Sequence, residues 1–156
     1  MKLSQIDKKE MLAQTRRRTH PHCAVCNLGN RHGLKIDYVF DERTQNVTAT
    51  FLGETCHEGY PGILHGGVIS AIFDGAMGNC LFAMGKTAVT VEITTRFRHP
   101  VVLHEKTLVS ARIVRDSYPV YCLEAEIKQD GQVKATAEGK FYDQPDLANI
   151  LEPLTK

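Results

Sequence analysis

From Leu64 to Met84 the chain is almost entirely apolar, and the one acidic or basic side chain of that run other than His65 is Asp74. Taking an ionised carboxylate out of water costs several kcal/mol unless it is paired. Two reasons for its presence compete: Asp74 caps a loop or binds a basic residue, or it is kept for chemistry as a proton acceptor or nucleophile. Carboxylates in apolar surroundings concentrate at active sites. Eight residues earlier the same run opens on His65-Gly66-Gly67. If the run is helical, its first N–H groups lack helical partners, and the positive end of the helix dipole suits a carbonyl oxygen that becomes anionic. Glycines there let a substrate approach the backbone, or answer a packing need where helix meets sheet.

Spacing adds a constraint. At about 1.5 Å per residue, Gly66 and Asp74 stand about 12 Å apart along a helix axis. One carbonyl does not reach both within a subunit. If both act on one group, the site is assembled across a two-fold interface, and the chain is at least a homodimer.

The elements that position these residues are legible as periods. Leu64 to Met84 is long enough for about five helical turns and is apolar nearly all round, so it must be enclosed on most sides. Before it, Leu34, Ile36, Tyr38 and Phe40 alternate with polar residues, as do Val47, Ala49 and Phe51, predicting a hairpin turned at Asp41-Glu42-Arg43. After it come four more alternating runs, Val89 to Phe97, Thr107 to Ile113, Tyr121 to Ile127 and Val133 to Phe141. The last two are joined by Gln129-Asp130-Gly131-Gln132, whose Asp-Gly pair suits a tight hairpin turn. A short amphipathic helix is expected before Arg16-Arg17-Arg18, a loop over 20–33, and a short tail helix near Asp146 to Leu151. The pattern predicts an α+β domain, a curved six-stranded antiparallel sheet wrapped around one long central helix.

Composition excludes several classes of partner. The 156 residues suit one domain. Lysines and arginines number 19 against 18 acidic residues, so no general field draws the chain to nucleic acid or an anionic membrane. Val68 to Met84 is interrupted by Asp74, Gly75, Gly78 and Asn79 and falls short of the roughly 20 apolar residues of a membrane span. The opening residues lack a secretory pattern, and the five cysteines suit reduced thiols, so a cytoplasmic protein is expected. Cys23-x2-Cys26, flanked by His20 and His22, has half of a zinc pattern. The downstream candidates Cys56 and His57 are adjacent rather than a second spaced pair, so no metal is expected.

The segment GYPGILHGGVISAIFDGAMG strongly resembles the hot-dog-fold thioesterases of the phenylacetate-degradation type, and the related thioesterase-superfamily members with Asp at the same offset from HGG. The resemblance runs from about Cys23 to Tyr142, through Cys-x2-Cys, His-Gly-Leu and the strand ending Phe97-Arg98-His99-Pro100. It implies a helical extension over 1–19, a hot-dog domain over 20–144 and a tail over 145–156. It also implies hydrolysis of an acyl-CoA thioester without a cofactor, in a homodimer or a dimer-of-dimers tetramer. The Gly66 N–H, beside Gly67, would polarise the carbonyl, and Asp74 would act as base or nucleophile. His65 would orient the loop, and Thr90 stands where relatives place a Ser or Thr that positions water. By strict alternation Thr90 lies opposite Val89 and Val91, so it reaches the site only if that face lines the dimer seam. Where many relatives carry an Asn or Gln six residues before the HGG histidine this chain has Gly59, with His57 and Glu58 as the nearby replacements. Arg96, Arg98 and His99, with Lys86 near in sequence, are the candidates for the CoA phosphates, against the plain alternative of solvated charges at a strand end. An acyl-CoA-binding protein without turnover is the alternative function.

Overall fold

A computed structural model describes residues 7–147. Asp7 caps the first helix by accepting from the Glu10 N–H, and α1 runs over Lys8–Thr19. The loop that follows leads to β1 (Val39–Asp41) and β2 (Asn46–Leu52), then through a single 3-10 turn at Thr55–His57 to the central helix α2 (Gly66–Ala83). Four long strands complete the chain: β3 (Ala88–Phe97), β4 (Lys106–Ser117), β5 (Val120–Gln129) and β6 (Gln132–Asp143). They form one sheet in the order β1-β2-β4-β5-β6-β3, with every neighbouring pair antiparallel. This is the expected hot-dog arrangement of six strands around a helix. The β5–β6 turn is the tight hairpin that Asp-Gly predicts, with φ of 48° at Asp130 and 74° at Gly131.

The first strand is shorter than its alternation suggested. Lys35 takes a left-handed φ of 55°, and the Leu34 and Ile36 N–H groups donate to Ala24 and Val25 in the preceding loop. Pairing with β2 therefore starts at Val39. Burial still alternates through Ile36, Tyr38 and Phe40, because side-chain parity is set by the extended backbone rather than by its hydrogen bonds. The N-terminal helix is no loose extension. Its Leu12 and Thr15 are buried, and Arg16 donates to the Tyr38 carbonyl. The tail helix expected near Asp146 falls, from residue 148 on, outside the described residues.

Against the expectation from its interruptions, α2 is by length and composition long and apolar enough to cross a membrane, but 56% of it is buried inside this protein. Phe73, Ile72, Met77 and Leu81 stand at its buried centre, against Tyr38, Tyr121, Leu123 and Phe141. The enclosure is incomplete, however. Gly67, Ala71, Asp74 and Gly78 form a stripe along α2 that a single chain leaves partly open.

The face of α2 next to this stripe is packed tightly enough to require glycine. A Cβ at Gly75 would lie 2.7 Å from Val25 Cγ1 and 2.8 Å from the Tyr38 hydroxyl, which itself donates to the Ile72 carbonyl at 2.7 Å. Gly78, three residues on, would meet nothing within 4 Å. Glycine inside a helix costs about 1 kcal/mol relative to alanine, and overpacking a core costs about 1–3 kcal/mol. Gly75→Ala should therefore lower the unfolding midpoint in urea, by up to about 2 kcal/mol net of the helix gain. A midpoint raised by this change would contradict the packing described here.

Candidate active site

His65 is the N-cap of α2, with φ −61° and ψ 135°, and its Nδ1 accepts the Gly67 N–H at 2.9 Å. The ring thus serves as a cap, which holds Nδ1 unprotonated in this geometry. It also explains the second glycine, since a Cβ at Gly67 would lie 3.1 Å from that same Nδ1. The Gly66 N–H has no hydrogen-bond acceptor among the described residues. It is a free donor of the helix start, as is the Val68 N–H.

Asp74 sits on the open stripe and is only partly buried, so the desolvation expected from an apolar sequence run does not hold within one chain. Its Oδ1 accepts from Thr90 Oγ1 at 2.5 Å, and its second oxygen has no partner among the described residues. How Thr90 gets there is a correction to strict alternation. The β3–β6 register steps from Thr90↔Phe141 to Glu92↔Lys140, which makes Val91 an inserted bulge residue. Thr90 therefore shares the helix-facing side with Ile93, Thr95 and Phe97, which pair with Gly139, Ala137 and Ala135. Thr95 makes a second tie to the helix through the Ser70 hydroxyl at 3.2 Å.

At the start of α2 lies a cleft of about 680 Å³, walled by Tyr60, Ile63, Leu64, Ile69, Phe97 and Val101, with Gly66 in its lining and Arg98 and His99 at one side. Its far wall is held firmly. The Arg98 and His99 N–H groups both donate to the Lys134 carbonyl, and Leu64 N–H donates to Val101. Gln129, 3% exposed, clamps Val102 from both sides, accepting its N–H at 2.9 Å and donating to its carbonyl at 2.8 Å. The remaining Gln129 proton goes to Thr107 Oγ1 at 2.8 Å. A buried amide with every partner met fixes the loop that carries Arg98 and His99. Nothing in the spacing of Gln129 signals this role.

The candidate basic cluster divides. His99 reaches the cleft and Arg98 borders both the cleft and the outer face of the sheet, whereas Arg96, five residues past the bulge, lies on that outer face opposite Thr136. A depression of about 700 Å³ on that outer face is lined by Arg96, Arg112, Glu124 and Glu138. It is polar and turned away from α2. Lys86 is engaged by Asp116 at 2.7 Å. His57 lines a different recess, with His32, Leu34 and Val68. At Gly59 a side chain is obstructed, because a Cβ would stand 3.2 Å from the His65 Cα, so the N-cap histidine takes the space.

A second group of reactive side chains lies behind α2. His20, Cys23 and Cys26 hold their ligating atoms within 4.8 Å of one another. The Cys23 thiol is held below the usual range, first by its hydrogen bond with Cys26. Cys26 is pushed above that range by the same bond and by burial.

A family model described as the thioesterase superfamily matches residues 61–145, the span holding Gly66, Asp74 and Thr90. Bovine acyl-coenzyme A thioesterase THEM4 is 28% identical over 87 residues, covering 54% of this chain and 35% of its own length. The chain thus spans about a third of that curated relative. The solved structure of the thioesterase superfamily protein RHA08564 superposes with a TM-score of 0.72 at 25% identity, over 77% of this chain and 62% of that one. The protein smu.793 from Streptococcus mutans, solved bound to acetyl CoA, gives a TM-score of 0.65 at 22% identity, over 70% and 89% of the two chains.

Proposed function

Because this chain belongs to the thioesterase superfamily, we propose that it hydrolyses an acyl-CoA thioester to the free acid and CoA. The observation that carries the reading is the carboxylate of Asp74, oriented by Thr90 and left with a free oxygen on the open stripe of α2. That oxygen takes a proton from water as the water oxygen attacks the thioester carbonyl carbon. The developing oxyanion accepts from the Gly66 N–H, in a place where a helix start favours negative charge. Collapse breaks the C–S bond, and the proton held by Asp74 passes to the leaving thiolate.

The acyl part occupies the cleft beside Phe97, Tyr60 and Ile69, with Arg98 and His99 available to CoA phosphates. The acetyl-CoA complex of the Streptococcus mutans protein and the activity named for the bovine relative support this ligand class.

The active unit is at least a two-fold dimer. Gly66 and Asp74 stand about 12 Å apart along one helix, too far to serve the same carbonyl. β3 is an edge strand of ten residues with Val89, Val91 and Phe97 exposed, and beside it runs the open stripe of α2. A long apolar edge of this kind pairs with another chain unless it is protected.

The test is thiol release from short, medium, long and aryl CoA esters by the purified protein. Turnover of at least one class, with one CoA freed per acid formed, is expected. CoA esters that bind and never turn over would replace the enzyme by a carrier or sensor.

A further inference from the structure

Behind α2, on the side away from Asp74, the fold gathers three soft ligands that the proposed hydrolysis does not use. We propose that His20, Cys23 and Cys26 form a binding site for a thiophilic divalent cation, zinc foremost, which fastens the 20–36 segment to the central helix.

The geometry suits a tetrahedral cation. Tetrahedral zinc, with Zn–S about 2.3 Å and Zn–N about 2.0–2.1 Å, puts neighbouring S and N ligands about 3.6 Å apart. The Cys26 Sγ to His20 Nδ1 distance is 3.5 Å, and all three ligand atoms lie within 4.8 Å of one another. Cys23 Sγ accepts from two successive backbone amides, Val25 N–H at 3.3 Å and Cys26 N–H at 3.5 Å. Successive amides converging on one atom form an anion-binding concavity, the arrangement a metal thiolate needs around its sulfur.

The surroundings orient each ligand. His20 is the C-cap of α1, with its N–H on the Arg16 carbonyl, and its ring meets Phe82 of α2 edge-on at 4.8 Å. The turn carrying the cysteines is pinned by Leu34 N–H on Ala24 and Ile36 N–H on Val25. Cys26 is 1% exposed. Two thiolates and a neutral imidazole around a divalent cation carry no net charge, so this burial is compatible with the metal-bound form. The fourth position falls to water or another small ligand.

The sequence alone argued against a metal because no second spaced pair follows Cys23-x2-Cys26. The third ligand is instead His20 at the end of α1, three residues upstream, brought round by the local turn in which the Cys23 N–H donates to the His20 carbonyl. The loop from 20 to 33 contains no helix or strand, and a metal tie is how such a segment gains order beyond its small apolar content.

The test reads the metal itself and is independent of thioesterase activity. Full-length protein purified without chelator should carry about one zinc per chain by elemental analysis. After chelation under reducing conditions, titration with Co²⁺ should produce thiolate-to-cobalt charge transfer and tetrahedral visible bands, which Zn²⁺ then bleaches. Cys23→Ala should abolish the charge-transfer band or reduce it to that of one thiolate, His20→Ala should weaken binding, and Cys56→Ser should leave the titration unchanged. If Cys23→Ala fails to fold, the titration of Cys56→Ser protein decides, because it removes the thiol of the exposed group of Glu54, Cys56 and His57. Reduced, folded wild-type protein that takes up Co²⁺ without thiolate charge transfer, or not at all, overturns the site. A Cys23–Cys26 disulfide in protein that binds no metal when reduced does the same.

Discussion

Asp74→Asn should lower turnover of the best acyl-CoA by about 10²–10⁴-fold, the usual cost of removing a positioned general base. Asparagine keeps the size of the side chain and an oxygen for the Thr90 hydroxyl, and loses only the ability to take a proton from water. Binding of the acyl-CoA should survive, since the cleft at the start of α2 is untouched. Stability should hold or rise slightly, because a carboxylate on an apolar helix is a cost to folding and this one is bonded to a single neighbour rather than to a network. Steady-state kinetics, calorimetric binding and thermal unfolding on the same preparation separate the possibilities. Wild-type turnover in the variant, or a chain that no longer folds, would make Asp74 a structural residue and leave the hydrolysis without its base.

The parts of this site that were legible in the sequence are those set by local rules. The central helix, the HGG start, the carboxylate eight residues on and the Asp130-Gly131 hairpin each follow from a period or a turn preference, and each has its place in the fold. What escaped depends on contacts between distant segments. A one-residue bulge at Val91 reverses the parity of β3, and with it the reason why Thr90 meets Asp74 while Arg96 leaves the cleft. Alternation has no means of signalling such an insertion when the residues around it are Val, Thr and Glu on an exposed edge. Gln129 reads as a turn flank beside Asp130, yet its buried amide holds Val102 and so the wall of the cleft. The partial exposure of Asp74 is also a property of the assembled layers. An apolar helix implies burial, but one stripe of α2 is left for a neighbour outside the chain.

That open stripe leads to the sharpest expectation of the two-chain site. Gly66→Pro deletes the single N–H assigned to the oxyanion and little else. Proline is well tolerated at the first position of a helix, and His65 already has the extended φ and ψ of −61° and 135° that a residue before proline prefers. An added Cβ would rest at 3.4 Å from the Phe97 ring, an ordinary contact. Loss of one oxyanion donor should cost about 10²–10³-fold in kcat. Neither Gly66→Pro nor Asp74→Asn protein should then turn over appreciably alone. In a mixed dimer, however, one of the two sites combines Gly66 of the second variant with Asp74 of the first, and is wild-type. Random reassociation of equal amounts makes half the dimers mixed, with one intact site each, so roughly a quarter of wild-type activity should return. The other site of a mixed dimer carries both lesions and contributes nothing. If Gly66 and Asp74 act within the same chain, every subunit in the mixture bears one lesion in its own site and no activity returns. Unfolding and refolding the two variants together, against each treated alone, distinguishes these results by an order of magnitude or more in a thiol-release assay.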